Sequence, residues 1–500
     1  MTIKINLERD KLFDALGLQR LRESYMMEEE VSPQERFAYV SEAFGSNPEH
    51  SQRLYEYSSK HWLSYSTPIL SFGRSKRGLP ISCFLNYMED SAEGLVDNLS
   101  ETNWLSMLGG GVGIHLGIRN SDDKSTGVMP HLKMYDASSL AYRQGRTRRG
   151  SYAAFLDVNH PDIIQFLEMR KPTGDQNLRT LNLNHGVNIS DEFMQVIERC
   201  MKDPEANDDW ALKNPANGEV VEVVSAKGLW QKMLDLRMQT GEPYFIFIDT
   251  ANRELPEWLK DKGLRINGSN LCTEIFLPTS ADRTAVCCLS SVNLEYYDDW
   301  KDNEQFIPDV MEMLDNVVEY FITNAPKHIS RAVRSATAER SVGLGSLGFH
   351  AYLQKNNMPI DGVMAKLTNK DIFAHINKEC ARADNILVLK RGACPDASEF
   401  GIQRRFSHHM AIAPNASSSL IMGNTSPSVE PYRANVFRQD TLSGAFVYRN
   451  RFLSKRLAEL GLDDDDTWAS IIANDGSVQH LGIPEDVKEV FKTAMEIDQR

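Results

Sequence analysis

The sequence has no C-x-x-C pair. Its seven cysteines, at 83, 200, 272, 287, 288, 380 and 394, are scattered and odd in number. That pattern argues against a structural zinc site and, in a reducing compartment, against a framework of structural disulfides. No apolar run reaches the roughly 18 residues that a membrane helix needs, and the first residues, MTIKINLERDKLFDALG, are too mixed and charged for a signal peptide. The expected location is therefore the cytoplasm, with no membrane partner. Basic residues are in deficit, 55 Lys and Arg against 69 Asp and Glu, for a net charge of -14. A chain that coats nucleic acid needs clustered cations, so that class is excluded, although local basic loops are not. Internal repeats and low-complexity linkers are also missing, which points to one compact unit over about residues 70–440. What is present, 500 residues at 41% hydrophobic composition, suffices for a large core.

The first part of the chain reads as helical. Ser32-Pro33-Gln34-Glu35 combines an N-cap, a proline in the first turn and a capping-box glutamate, with Phe37, Val40 and Phe44 following at helical spacing. These helices should end near Thr67-Pro68, where the proline favours an extended chain. A rhythm of helix, glycine turn and strand then begins. A helix over Leu95–Leu108 stops at Gly109-Gly110-Gly111, and Val112, Ile114, Leu116 and Ile118 alternate as in a strand. Strand-like Tyr152–Val158, a helix from His160-Pro161, strand-like Gly186–Ile189, a helix from Ser190 and strand-like Tyr244–Ile248 after Gly241 continue it. The class is α/β, as a barrel or a doubly wound sheet.

The stretch Ser269–Thr279 carries the chemistry. If it is extended, Asn270, Cys272 and Glu274 share one face, which offers an amide, a thiol and a carboxylate to one small molecule. The plain alternative is a strand with a buried structural cysteine and a solvated Asn and Glu. Two other features carry less. Gly343-Leu344-Gly345-Ser346-Leu347-Gly348 matches G-x-G-x-x-G, but Arg331–Arg340 before it is charged, so glycines packing a helix are expected there and not a dinucleotide site. The pair Tyr296-Tyr297 follows acidic Glu295 and is expected to pack at the rim.

Four motifs occur in order: Ser82-Cys83, Asn270-Leu271-Cys272-Thr273-Glu274, Cys287-Cys288-Leu289-Ser290-Ser291-Val292-Asn293-Leu294, and Pro414-Asn415-Ala416-Ser417-Ser418-Ser419. Together they resemble the catalytic subunit of class I ribonucleotide reductase, over about residues 60–440 and more weakly beyond. The resemblance implies a ten-stranded α/β barrel over 67–440 with effector-binding loops. A helical region over 1–66 would precede it, and an incomplete C-terminal helical part would follow over 441–500. It implies reduction of ribonucleoside diphosphates to 2'-deoxyribonucleoside diphosphates for DNA synthesis. Cys272 would be the thiyl radical, Glu274 the general base and Asn270 the group that orients the substrate hydroxyls, while Cys83 and Cys287 would deliver two electrons by closing a disulfide. Cys288 is the ambiguous neighbour of Cys287. Thr67, Ser82, Cys83, Gly117, Leu271, Thr273 and the loop Pro414, Asn415, Ala416, Ser417 and Ser418 would surround the substrate.

By the same resemblance, a deoxynucleoside triphosphate or ATP effector would sit at a homodimer interface. Its residues would be Asp90, Arg119 and Lys124 of a first loop over 119–127, and Lys171 and Arg179 of a second over 171–179. The first loop is shorter than in many relatives, and for Asp122, Asp123 and Lys124 an ordinary solvated turn is the plain alternative. No metal or cofactor would be held by the chain itself. The radical would come from a metal-containing small subunit, and reducing equivalents from thioredoxin or glutaredoxin. The N-terminus looks too short for an adenine-nucleotide cone, so dATP is not expected to shut the enzyme off. At the other end, Val487, Val490, Phe491 and Ala494 suggest an amphipathic helix that runs out over 496–500. The last tyrosine is Tyr448 and the last cysteine Cys394; the alternatives are a truncated chain and a split gene, and with the split a second chain supplying the family's C-terminal segment is expected to dock on that helix. The competing readings are an adenosylcobalamin-dependent class II reductase and a noncatalytic, effector-binding scaffold.

Overall fold

The computed structural model describes residues 3–75, 78–142, 150–441 and 444–498. The N-terminal helices form where their caps place them. In the helix Pro33–Phe44 the Ser32 hydroxyl accepts from the Gln34 amide at 3.1 Å, and the Glu35 carboxylate accepts from the Ser32 amide at 3.0 Å. Asn47 caps the next helix, Pro48–Ser59, in the same way. Pro68 does not hold an extended segment. It lies in the first turn of a short helix, Thr67–Leu70, where its missing N–H costs nothing, and Ser66 is the extended residue.

One eight-stranded sheet organises the described residues, in the order β1-β9-β2-β3-β4-β5-β8, with β10 added on β9. Its strands are β1 (Leu63–Tyr65), β2 (Cys83–Glu89), β3 (Gly111–Gly117), β4 (Tyr152–Asp157), β5 (Asn184–Ile189), β8 (Tyr244–Phe247), β9 (Ala285–Asn293) and β10 (Val342–Leu347). Strands β2, β3, β4, β5 and β8 run parallel, and helices cross between them, among them Ala92–Met107 and Val128–Ala141. β9 opposes β2 and β1 and runs parallel to β10, so this nine-residue strand, buried throughout, joins the two halves of the curled sheet. Two hairpins stand apart, β6 (Asp209–Lys213) with β7 (Val220–Ser225), and β11 (Val436–Thr441) with β12 (Gly444–Arg449). The α/β barrel class is as the sequence implies, with eight strands in the sheet among the described residues where the resemblance implies ten.

Two local expectations are overturned and one holds. The glycine stretch at 343–348 is strand β10 and not a helix contact. A Cβ on Gly343 would meet the Ala411 side chain at 2.8 Å, and one on Gly345 the Ala411 carbonyl at 2.6 Å, so the glycines let the segment near Ala411 lie flat on the strand. Tyr296 and Tyr297, both half-buried, pack on the edge of the main core, as the rim placement expected from the sequence has it, and the Tyr297 hydroxyl bonds His375 Nδ1 at 3.0 Å. The helix near the C-terminus is only Glu485–Val490, and Thr493 caps a separate turn, Ala494–Glu496. Val487, Val490 and Phe491 are buried with Val436, Leu453 and Trp468 in a core of their own. The apolar face expected to await a second chain is thus covered by the chain itself; Gln499 and Arg500 lie outside the described residues.

Candidate active site

A cavity of about 420 Å³ opens where β2 and β3 begin, beside the middle of β9. Cys83, Gly111 and Leu289–Ser291 line its strand side, Leu271, Cys272 and Glu274 enter from a loop, and Pro414–Ser418 close it.

That loop is not a strand. The Thr273 amide bonds the Asn270 carbonyl at 3.2 Å to make a turn, and Asn270 Oδ1 accepts from the Glu274 and Ile275 amides, both at 3.1 Å. A side-chain oxygen that takes two consecutive amides removes the donors that a ladder would use, which is why the period of two fails here. Cys272 and Glu274 still reach one cavity, but Asn270 stands behind them, fully buried, as the organiser of the turn. Thr273 has φ +64°, a region a β-branched residue occupies only at a cost of order 1–3 kcal/mol. Glycines in β3 let the loop in. A Cβ on Gly113 would sit 1.9 Å from the Ser269 carbonyl oxygen, and one on Gly111 2.9 Å from Leu271 Cδ2.

The polar groups around the cavity are under-satisfied. Ser66 Oγ, Ser82 Oγ, Ser290 Oγ and Glu274 Oε2 are buried without hydrogen-bond partners, as is Asn270 Nδ2 just behind. Burial pushes the Glu274 carboxyl above the ordinary glutamate range, against hydrogen bonds that pull it down. Its folded form therefore holds the proton more tightly than the unfolded chain. From this group alone stability falls as pH rises from about 4.5 through the raised value, while its capacity as a base appears over the same window. If Glu274 is the base, the acid limb of kcat lies above that of an ordinary carboxylate. Glu274→Gln is expected to remove that limb and lower kcat about 10²- to 10⁴-fold, and a pH profile of both forms checks it.

The two candidate reducing thiols face each other. Cys83 and Cys287 are register partners on antiparallel β2 and β9. Such pairs have Cα atoms about 4.5–5.5 Å apart, within the range of about 4.4–6.8 Å that a disulfide spans. Burial, and then the neighbouring Cys83, push the Cys287 thiol well up. Cys288 points to the opposite side, with its Sγ 3.7 Å from the Leu314 carbonyl, so of the two neighbours it is Cys287 that stands in register with Cys83.

Among the substrate residues named from sequence, Thr67, Ser82, Cys83, Leu271, Cys272, Glu274 and 414–418 line the cavity. Thr273 adjoins it in the turn. Gly117 does not belong: it lies at the far end of β3 and lines a different cavity, while Gly111, at the near end, lines this one. The run Gly109-Gly110-Gly111 ahead of the strand was the available signal. Ser64, Ser66 and Ser151, also in the wall, carry no sequence pattern that marks them, whereas Ser290 lies within the Cys287–Leu294 motif but takes no role from sequence. Asn415 adopts φ +54° and ties the last loop down, donating to the Ser346 and Ala413 carbonyls at 3.0 and 2.9 Å.

The expected effector residues fall into two groups. Arg119 Nε pairs with Asp90 at 2.7 Å, and Lys124 lies in a turn whose amides bond Asp122 Oδ1, at 2.7 Å for Lys124 and 2.8 Å for Ser125. Lys171 pairs with Glu168 at 3.1 Å, and Arg179 Nε donates to the Thr173 carbonyl at 2.7 Å, so the second loop is braced within itself. Lys133 anchors that loop through the Gln176 and Arg179 carbonyls.

A barrel whose inner loop presents a thiol and a carboxylate beside two thiols in register defines a thiol-dependent oxidoreductase. The family model for the ribonucleotide reductase barrel domain matches residues 81–404 and 396–500, and that for its all-alpha domain matches 11–78. The chain belongs to the ribonucleotide reductase family, as a large, catalytic chain. It is 49% identical to the ribonucleoside-diphosphate reductase large subunit of Invertebrate iridescent virus 3, over 99% of this chain and 87% of that one. A putative large subunit of Frog virus 3 is also 49% identical, over 91% of this chain and 80% of that one. Among solved structures, the Actinobacillus ureae class Id ribonucleotide reductase alpha subunit superposes with a TM-score of 0.85 at 34% identity, covering 99% of this chain and 88% of that chain. Among the described residues no helix is long and apolar enough to cross a membrane.

Proposed function

We propose that the cavity binds a ribonucleoside diphosphate and that Cys272, as a thiyl radical, removes the ribose 3'-hydrogen. Glu274 takes the 3'-hydroxyl proton. Cys83 and Cys287 supply two electrons and two protons, so that the 2'-hydroxyl leaves as water, hydrogen replaces it, and a disulfide forms. The observation that carries this reading is the ring of buried, unpartnered hydroxyls around a thiol and a carboxylate, a wall built for a polyhydroxylated ligand. Asn270 is a positioning residue in this scheme; it holds the turn that carries Cys272 and Glu274, and its Nδ2, buried behind them, has no partner. The diphosphate lies against Ser417 and Ser418 and the backbone that Asn415 fixes.

Phosphate contacts exist in ground and transition states alike, so removing them acts on binding and not on chemistry. Ser417→Ala with Ser418→Ala is expected to raise KM about 10- to 100-fold, as the loss of hydrogen bonds to a charged group does, with kcat within a factor of a few. A fall in kcat with unchanged KM would place the phosphates elsewhere.

The radical comes from a metal-containing small subunit, and a thioredoxin- or glutaredoxin-type dithiol restores the pair. A deoxynucleoside triphosphate regulates specificity between two copies of the chain. The Asp90–Arg119 pair supports this, since the carboxylate suits the effector ribose and the released guanidinium its phosphates. Asp90→Ala is expected to weaken effector affinity about tenfold or more and to leave basal turnover measurable. Unchanged affinity in equilibrium dialysis would move the site away from Asp90.

A further inference from the structure

A second cavity, of about 320 Å³, lies at the opposite end of the same strands. The first is built on the starts of β2 and β3; this one is built on Tyr87, Gly117 and Asp157, at or near the C-terminal ends of β2, β3 and β4. In open parallel sheets that end is where ligands gather, because loops diverge there. The β6–β7 hairpin folds over it. The Lys213 amide bonds the Asn159 carbonyl at 2.7 Å and Trp210 Nε1 the Val158 carbonyl at 3.2 Å, so Lys213 is fixed on the rim. Arg265 approaches from the chain that leads into the catalytic loop.

Two features of this wall await a ligand. Among the described residues neither Lys213 nor Arg265 has an ion-pair partner. His115 is only 8% exposed, its ring stacked on Tyr87 with centroids 5.4 Å apart, and its Nδ1 has no partner. Its Nε2 faces Asp157 Oδ1 at 3.4 Å, so in the neutral ring the proton sits on Nε2 and Nδ1 is an acceptor. Asp157 Oδ1 also accepts from Asn188 Nδ2 at 2.8 Å, which leaves Oδ2 as a second acceptor. Two cations on the rim and two acceptors within the cavity match a molecule with a phosphate at one end and hydroxyls at the other.

We propose that this cavity is a binding site for a small sugar phosphate, with its phosphate between Lys213 and Arg265 and its hydroxyls on His115 Nδ1 and Asp157. The site does not touch the catalytic cavity, and the proposal does not depend on the roles given to Cys272 or Glu274. It is nonetheless connected to both functional regions. Asn188 Nδ2 donates to the Asn267 carbonyl at 2.8 Å, two residues before Ser269, and His160 in the cavity wall bonds the Ile118 carbonyl at 2.9 Å, next to Arg119.

The test is equilibrium dialysis of the full chain with labelled ribose 5-phosphate, in the presence of saturating ribonucleoside diphosphate and deoxynucleoside triphosphate to fill other phosphate sites. One ribose 5-phosphate per chain is expected. Inorganic phosphate should bind about tenfold more weakly for want of hydroxyls, and Lys213→Ala with Arg265→Ala should weaken the sugar phosphate about 30-fold or more. His115→Phe should keep the stack on Tyr87 and lose about tenfold. Uridine monophosphate separates two sources of the same chemistry: tighter binding than ribose 5-phosphate identifies a nucleotide as the ligand, and weaker binding a free sugar phosphate. No binding of ribose 5-phosphate or uridine monophosphate at millimolar concentration, or equal binding by the double variant, overturns the proposal. Arg265 is exposed, so Arg265→Ala alone serves if the double variant does not fold. The readout needs no turnover, and its failure leaves the reductase assignment untouched.

Discussion

Cys272→Ser is expected to abolish deoxyribonucleotide formation, with a fall in kcat of at least about a thousandfold, while ribonucleoside diphosphate affinity stays within a factor of a few. Serine has nearly the size and shape of cysteine, so the turn made by the Asn270 carbonyl and the Thr273 amide is not disturbed. What changes is the bond to hydrogen. A hydroxyl O–H is much stronger than a thiol S–H, so a serine in this position cannot hold the radical or return the hydrogen atom. In the proposed scheme affinity rests elsewhere in the cavity wall, on the hydroxyls of Thr67, Ser82 and Ser290 and on the 414–418 loop, all of which the variant retains. Cys272 is exposed to the cavity while Cys287 is buried, which fits a group that must meet a substrate and, in turn, a group that must not meet solvent. Turnover of the serine variant within tenfold of the parent, measured with the small subunit and a dithiol, would remove Cys272 from the mechanism.

Much of this arrangement is legible in the chain, and the part that is not has definite causes. The helix at Ala92–Met107, the glycine turn and strand β3 follow from local periodicity, as do the later helices and parallel strands, because each element's own residues carry its signal. The residue types of the site are legible in the same way, since four motifs in order restrict the chemistry. Geometry at the motifs is less so. At 269–279 the apparent strand is a turn because Asn270 turns its amide oxygen back on its own backbone, a competition that alternation cannot register. At 343–348 the strand is hidden because glycine replaces the side chains that would have shown a period, for the benefit of a neighbour, Ala411, far along the chain. Gly117 and Gly111 occupy opposite ends of one strand, and only the parallel register of β2 on β3, which sets Cys83 beside Gly111 and Glu89 beside Gly117, shows which end faces the catalytic cavity. The apolar spacing of Val487 and Val490 marks a face that must be covered, but not by what; that the β11 region and two preceding helices of the same chain cover it, and not a second chain, is tertiary information.

The register of β2 on β9 supports the other large expected effect. With external dithiol left out, turnover should stop after about one deoxynucleotide per chain, and peptide mapping should then find a Cys83–Cys287 disulfide. Replacing a hydroxyl by hydrogen consumes two electrons and two protons and releases water, and two thiols that become one disulfide supply both. The pair is placed for it: partners across adjacent strands need no backbone movement to come within bonding range. Cys287→Ser and Cys83→Ser should each lower steady-state turnover by about a hundredfold or more and abolish the disulfide, since neither remaining thiol has an oxidisable partner in register. Cys288→Ser is the internal control. Its thiol faces the Leu314 carbonyl on the other side of β9, so the variant should keep both the disulfide and most of the activity, at a modest cost in stability from a buried hydroxyl. A disulfide mapped to Cys287–Cys288, or steady turnover by Cys287→Ser with an external dithiol, would show that β9 presents its sulfurs to the reaction in a different way from the one its register implies.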